Sequence, residues 1–254
     1  MLRLIPLAFL ILASVQSKAA DSYAQSFEDT PEFLAPQPGP TFAPRETWAY
    51  VFDVIRNDGT VVTLSSDKEW EMLKPASTLK LFTGWWAFQK QFRTDAYLSK
   101  MLHESVNLMA QETLEGMGGL VAMEEYYAET EVPLDPANFI AVDGSGLSYD
   151  NRMTCEIQIK LLKLMRAHPN YNRFKKFLAQ PKQVGTLKDR LSLYSGKLFA
   201  KTGTLNKTAS LSGFLESTKG TMVFCVMSDY LERSLVSARK RIDHMVKVNY
   251  NLIR

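Results

Sequence analysis

Two cysteines and three histidines are all that the 254 residues contain. His103, His168 and His244 are scattered and none falls in an H-E-x-x-H pair, so no metal site and no cofactor is expected. Cys155 and Cys225 lie in separate apolar stretches. One pair makes no disulfide framework, and two buried free thiols are expected, although an exported chain permits a bridge. Excess charge is also scarce: 30 Lys+Arg against 27 Asp+Glu leave +3, too little for a nucleic-acid partner or an anionic membrane surface. There is no internal repeat, and no G-x-S-x-G to suggest a Ser-His-Asp hydrolase.

No apolar run beyond residue 20 is long enough to cross a bilayer, so no stable membrane anchor is expected. Residues 1–20 read as an export signal: Arg3, the apolar stretch Leu4–Val15, then the small residues around Ala19 and Ala20. A periplasmic or secreted protein is the expectation. Residues 21–45 carry five prolines and no period, the pattern of an extended N-terminal arm. Residues 46–254 are expected to form a single domain.

Charge is unevenly placed along that chain. Residues 21–150 hold 8 basic against 21 acidic side chains, and residues 151–254 hold 20 against 6. Either the halves interleave in one fold and attract each other, or a basic face awaits an anionic substrate.

β-rich runs at 47–56 and 60–65 flank an Asn57-Asp58-Gly59 turn, a hairpin pattern. Helical periodicity follows over 76–92, 95–102, 105–116, 119–129, 151–167 and 170–179, with a buried extended segment at 139–148. Three more β runs (197–204, 209–216, 221–228) form a meander, and a helix over 232–252 closes the chain. Early and late strands must share one antiparallel sheet, so the fold class is α+β: five strands flanked by helices, with a helical subdomain.

S-x-x-K occurs three times, at Ser65/Lys68, Ser77/Lys80 and Ser237/Lys240, where about one match is expected by chance. Ser237/Lys240 sits in a charged helix face. For Ser65/Lys68, Ser66 or Asp67 is a plausible helix cap. Ser77/Lys80 differs, because Pro75 and Ala76 lead into a helix so apolar that it must be buried. Burial there would depress the Lys80 pKa and favour the neutral amine a general base needs. A capping serine beside a snorkelling lysine is the competing reading.

Two tripeptides narrow the choice: Ser105-Val106-Asn107, and Lys201-Thr202-Gly203 in the first strand of the meander. S-x-x-K, S-x-N and K-T-G in this order are the signature of penicillin-binding serine acyl transferases. The chain resembles the low-molecular-mass class C penicillin-binding proteins, the D-alanyl-D-alanine carboxypeptidase/endopeptidase family (peptidase family S13). KPASTLKLFTGWWA, ESVNLMAQETLEGMGG, VDGSGLSYDNRMT and KLFAKTGTLNKTASLSGFLES carry the resemblance. It departs in three places. Only 24 residues separate Lys80 from Ser105, where the family usually inserts two domains, so a shortened form with a more open cleft is implied. Val106 stands where the family mostly has aspartate. Tyr149-Asp150-Asn151 mimics the Y-x-N of some β-lactamases, although Ser105/Asn107 is preferred.

The resemblance implies a serine DD-peptidase and assigns roles. Ser77 is the nucleophile and Lys80 its base; Ser105 relays a proton and Asn107 holds the substrate amide. Lys201 supplies charge, Thr202 offers its hydroxyl to the free carboxylate next to the cleaved bond, Gly203 and Thr204 continue the substrate strand, and the N–H groups of Ser77 and Thr204 form the oxyanion hole. Implied partners are peptidoglycan peptides and, as covalent inhibitors, β-lactam antibiotics. Asp143 and Ser145 have two readings: substrate-binding residues lining the cleft, or members of a tight turn in which Gly144 and Gly146 adopt positive φ. Glu131 and Asp135 lack the E-x-x-L-N context of a deacylating base and read as surface charges. A serine β-lactamase and a non-catalytic wall-binding module are the alternatives.

Overall fold

The computed structural model describes residues 45–253. The signal-like segment 1–20 and almost all of the 21–45 arm lie outside them. The hairpin forms as its N-D-G turn requires. β1 (Thr47–Arg56) pairs with β2 (Val61–Asp67), and Gly59 takes φ +86° at the turn. No helix starts at Ser66 or Asp67, because β2 runs through both residues.

The rest of the order is a 3-10 turn Ala76–Leu79, α1 (Lys80–Gln89), α2 (Asp95–His103), α3 (Asn107–Gly116), α4 (Gly119–Ala128), β3 (Phe139–Ile140), β4 (Arg152–Met153), α5 (Cys155–Ala167), α6 (Tyr171–Phe174), β5 (Leu198–Leu205), β6 (Thr208–Ser217), β7 (Gly220–Asp229) and α7 (Leu235–Asn251). All neighbours in the main sheet are antiparallel, in the order β2-β1-β7-β6-β5. This α+β architecture puts the hairpin at one edge and the K-T-G strand β5 at the other.

Period-2 side-chain alternation gives the sheet two apolar faces. Ala49, Val51, Val223, Cys225 and Met227 face the helical layer of α1 to α6. Phe52, Val54, Phe224, Val226, Leu198 and Ala200 face α7 through Ala238, Ile242 and Val246. α1 is buried on all sides, with Phe82 and Trp85 almost fully covered. Each such ring contributes about 2–3 kcal/mol by leaving water. Lys80 is the opposite case, an ionisable group that the same helix carries into the interior at its first residue.

Several boundaries differ from the expected ones. Only two residues of the 139–148 segment are strand, paired across to Arg152–Met153. That pairing delays α5 until Thr154, whose side chain accepts from the Ile157 N–H as its cap. The 170–179 helix shrinks to α6 and one 3-10 turn, Lys175–Phe177. α7 starts at Leu235, capped by Ser234.

The charge halves interleave. Asp53–Lys163, Asp95–Arg173 and Glu46–Arg233 each join an acidic residue of the first half to a basic one of the second. Cys155 and Cys225 are both buried and free, as their apolar contexts suggest, and they face each other with 2.6 Å between the Sγ atoms. Burial raises the Cys155 pKa and keeps that thiol protonated.

Candidate active site

Pro75, with φ −73° and ψ −24°, caps the turn that carries Ser77. Ala76 then adopts φ +49°, a left-handed conformation that costs a non-glycine residue about 1–3 kcal/mol. Surrounding contacts hold it there. Ser210 Oγ of β6 donates to the Pro75 carbonyl at 2.7 Å. A Cβ on Gly203 of β5 would come within 2.8 Å of that carbonyl oxygen. On the other side Gly146 has φ +78°, and a Cβ there would fall 1.8 Å from Ala76 O. Two segments therefore need glycine so that their backbones can close on the serine turn.

Lys80 lies one helical turn beyond Ser77 with none of its surface exposed. Its Nζ is 2.9 Å from Ser77 Oγ, 2.6 Å from Asn107 Oδ1 and 2.6 Å from the Ser145 carbonyl. None of the three is a charged partner. Burial lowers the Lys80 pKa to about 7, against a smaller upward pull from Asp143. A neutral amine suits these contacts, donating to the two oxygens and accepting the Ser77 hydroxyl proton.

The S-x-N segment sits opposite. Ser105 also has left-handed backbone, φ +67°, in the short link between α2 and α3, and Asn107 opens α3. Lys201, fully buried, donates to Ser105 Oγ at 2.7 Å and to the Thr202 carbonyl at 2.9 Å. Burial and the nearby Lys80 amine push its pKa well below that of an ordinary lysine. The site thus runs as a chain of contacts: Ser77, Lys80, Asn107 on one side, and Ser105, Lys201 on the other.

β5 supplies the opposite wall. The Ala200 N–H points away from β6, donating to Ala179 O at 3.0 Å. By the two-residue repeat of an antiparallel ladder, the N–H groups of Thr202 and Thr204 face the same outer edge. Among the described residues, no strand pairs with that edge at Thr202 or Thr204, so the edge can add a substrate strand. Thr204 is the one exposed residue of β5.

Asp143 and Ser145 need a correction to the substrate-binding reading. The Asp143 carboxylate accepts from the N–H groups of Ser145, Gly146, Leu147 and Ser148 and from the Asn151 amide. The Ser145 hydroxyl donates to it as well. Those bonds hold the Asp143 pKa below the usual carboxylate range although burial opposes them. Both side chains are thus occupied in fixing the loop, while Ser145 reaches the site through its carbonyl. The turn reading needs its own adjustment, since only Gly146 has positive φ. Gly144 is required instead by contact, its Cβ position lying 2.7 Å from Leu114 Cβ. The two residues still border a cavity of about 530 Å³ shared with Asn107, Leu108, Gln111, Leu147 and Ser148. Glu131 and Asp135 are exposed surface charges.

Three further features lie outside the S-x-x-K, S-x-N and K-T-G motifs. Lys74 pairs with the buried Asp229 at 3.1 Å, tying the approach to Ser77 to the end of β7. Tyr149 of the Y-x-N mimic is a loop residue, and its hydroxyl accepts the Asn206 N–H at 3.3 Å across the end of the cleft. Arg239 of α7 donates to Thr204 Oγ1 at 3.1 Å. Only its neighbourhood, SARKR, is visible in sequence.

A family model described as the D-Ala-D-Ala carboxypeptidase 3 (S13) family matches residues 93–252, more than half of the chain and including the S-x-N segment and the K-T-G strand. The chain belongs to this family. A D-alanyl-D-alanine carboxypeptidase of Actinomadura sp. (strain R39) is 31% identical over 135 residues, which are 49% of this chain and 24% of that one. A penicillin G-acylated form of Bd3459, a predatory endopeptidase of Bdellovibrio bacteriovorus in complex with immunity protein Bd3460, superposes with TM-score 0.54 and 24% identity over 60% of this chain and 44% of the other. A β-lactamase of Sphaerobacter thermophilus gives TM-score 0.63 at 14% identity, covering 82% and 92%. These two likenesses show the fold. The match to the Actinomadura protein spans about a quarter of that curated relative's length. Ser77 and Lys80 precede the residues that the family model matches, and it is the turn geometry that places them beside Asn107.

Proposed function

We propose that this chain is a serine DD-peptidase, its catalytic domain spanning 46–254, that cleaves D-Ala-D-Ala termini and D-Ala-diaminopimelate cross-links of peptidoglycan through a Ser77 acyl-enzyme. The observation that carries this reading is the buried Lys80 amine 2.9 Å from Ser77 Oγ, its contacts neutral oxygens and the upward pull of Asp143 outweighed by burial. The amine takes the hydroxyl proton as Ser77 attacks the scissile carbonyl, and the ester forms as the leaving amine departs. Ser105, held by Lys201, returns a proton to that amine. The Asn107 amide and the outer edge of β5 hold the extended peptide, and the N–H groups of Ser77 and Thr204 receive the developing oxyanion. Losing one such donor typically costs about 10²–10³ in rate. Water then releases the acyl group. No step calls on a cofactor.

β-Lactams, which mimic the acyl-D-Ala-D-Ala unit, acylate Ser77 and inhibit the enzyme on this reading, just as penicillin G acylates the Bdellovibrio endopeptidase Bd3459. Exposure to wall substrate requires the export that residues 1–20 suggest. The short Lys80–Ser105 connection leaves the cleft open, which favours endopeptidase activity at least equal to carboxypeptidase activity. Labelling of Ser77 by a fluorescent penicillin, then product analysis on purified cross-linked muropeptides, tests both parts. Absence of labelling rejects the enzyme and leaves a wall-binding module. Release of D-alanine without loss of dimers rejects the endopeptidase half.

The β-lactamase-like superposition raises a second reading, rapid hydrolysis of the penicilloyl ester. That step needs a base for water. Asp143, whose charge reaches Lys80, has both oxygens engaged by the loop. A long-lived penicilloyl-enzyme, followed by mass spectrometry, is therefore expected; turnover faster than peptide cleavage would reverse the ranking.

A further inference from the structure

The K-T-G strand ends at an arginine that the motifs do not include. Leu198 and Ala200 of β5 face α7, so by strand alternation Thr202 and Thr204 present their side chains on that same face. Arg239 comes from the first turns of α7, and one of its five N–H donors meets Thr204 Oγ1 at 3.1 Å. Other arginines nearby are committed elsewhere. Arg190 pairs with Asp243, Arg233 with Glu46, and Arg241 lies over the Trp48 ring at 4.3 Å. Among the described residues Arg239 has no carboxylate partner. It is half-buried beside the one exposed position of the strand.

We propose that Arg239 recognises the free α-carboxylate of the leaving D-amino acid, its guanidinium fork completing a subsite with the Thr202 and Thr204 hydroxyls. The inference rests on the DD-peptidase reading and adds to it the group that selects for a terminal carboxylate. Both substrate types present that group on the leaving side: terminal D-alanine carries one, and so does the D-centre of a cross-linking diaminopimelate. A carboxylate there needs a lasting positive charge. Lys80 and Lys201 supply it poorly, because burial drives both amines toward the neutral form. Guanidinium stays protonated at any working pH, and its planar pair of N–H donors matches a carboxylate. Thr204 orients the fork by accepting one N–H and leaves the others for the ligand.

The test compares the wild type, Arg239→Ala and Arg239→Lys on two peptides, one ending in D-Ala-D-Ala and the same peptide ending in D-alaninamide. The wild type is expected to prefer the free acid. Arg239→Ala should lose about 10- to 100-fold in kcat/KM on the acid, mostly through KM, with the amide changed less than about twofold. Arg239→Lys should restore part of the preference. The ratio between the two peptides is read within each sample, so it holds for whatever fraction of a variant folds. Equal losses on both peptides would mean that Arg239 merely braces β5, and no loss on either would mean that it does nothing; each result overturns the inference while leaving the peptidase reading intact. A wild type that cleaves neither peptide and takes no penicillin label overturns both.

Discussion

Lys80 and Lys74 begin six residues apart and are both drawn into the interior, yet they end in opposite surroundings. Lys74 meets the carboxylate of Asp229, itself 1% exposed, which also accepts from Thr208 and from the Tyr230 N–H. Lys80 and Lys201 meet only neutral oxygens. A carboxylate beside a buried amine favours the charged form and makes a tie; withholding it makes a base. The same amino acid therefore fastens the segment leading to Ser77 and, one turn past the serine, is placed to act as its base on the proposed mechanism. The contrast lies in the partner as well as in depth of burial, Lys74 keeping 9% of its surface exposed and Lys80 none.

The strongest break of this contrast is at Lys80. Lys80→Met is expected to lower Ser77 acylation by at least about a thousandfold with the fold retained, since the nucleophile loses its base. Lys80→Arg should be as inactive, because guanidinium keeps its protons. Penicillin labelling rates together with circular dichroism check both. An active Lys80→Arg enzyme would show that charge, not proton transfer, is what the site uses there.

The tie should fail differently. Asp229→Ala leaves Lys74 buried without its partner and is expected to cost about 3–5 kcal/mol of stability, read by urea denaturation. Replacing both, as Lys74→Met with Asp229→Leu, should recover most of that loss. Folded Asp229→Ala at low temperature should still take label. If labelling vanishes while stability is unchanged, Asp229 belongs to the chemistry and the comparison is wrong.

Sheet and helices are legible wherever one apolar face repeats, as in β1, β7 and α5, because the repeat is local. The three motifs are legible because each is contiguous. What closes them together is not. Asp229 lies 155 residues from Lys74, and Ser210 lies 135 from the Pro75 carbonyl it holds. Neither contact leaves a mark on the residues around it. Asp143 reads as turn-forming or ligand-facing, and only the convergence of the loop's N–H groups on its carboxylate shows how fully the turn occupies it. Arg239 is lost in SARKR because a helix face of five polar or small residues does not say which one turns inward. The start of α5 falls later than its periodicity suggests, because β4 is only two residues long and has no period to detect.

The finest test is the pH dependence of stability. Burial holds the folded-state Lys80 pKa near 7, below the 10.5 of a free lysine. Above pH 7 the unfolded chain therefore keeps a proton that the folded chain has released. Stability from this group rises as pH climbs from about 7 to about 10.5, and below 7 the penalty of the buried charge is fully present and constant. The Lys80→Met variant lacks that penalty. At pH 6 it should melt above the wild type, by about 2–4 °C for each kcal/mol of relief in a domain of this size, and the gap should narrow toward pH 10. Acylation by the wild type should follow the same amine and rise through an apparent pKa near 7. A gap that stays flat from pH 6 to pH 10 would mean that Lys80 is charged in the folded protein, and a charged Lys80 cannot take the serine proton.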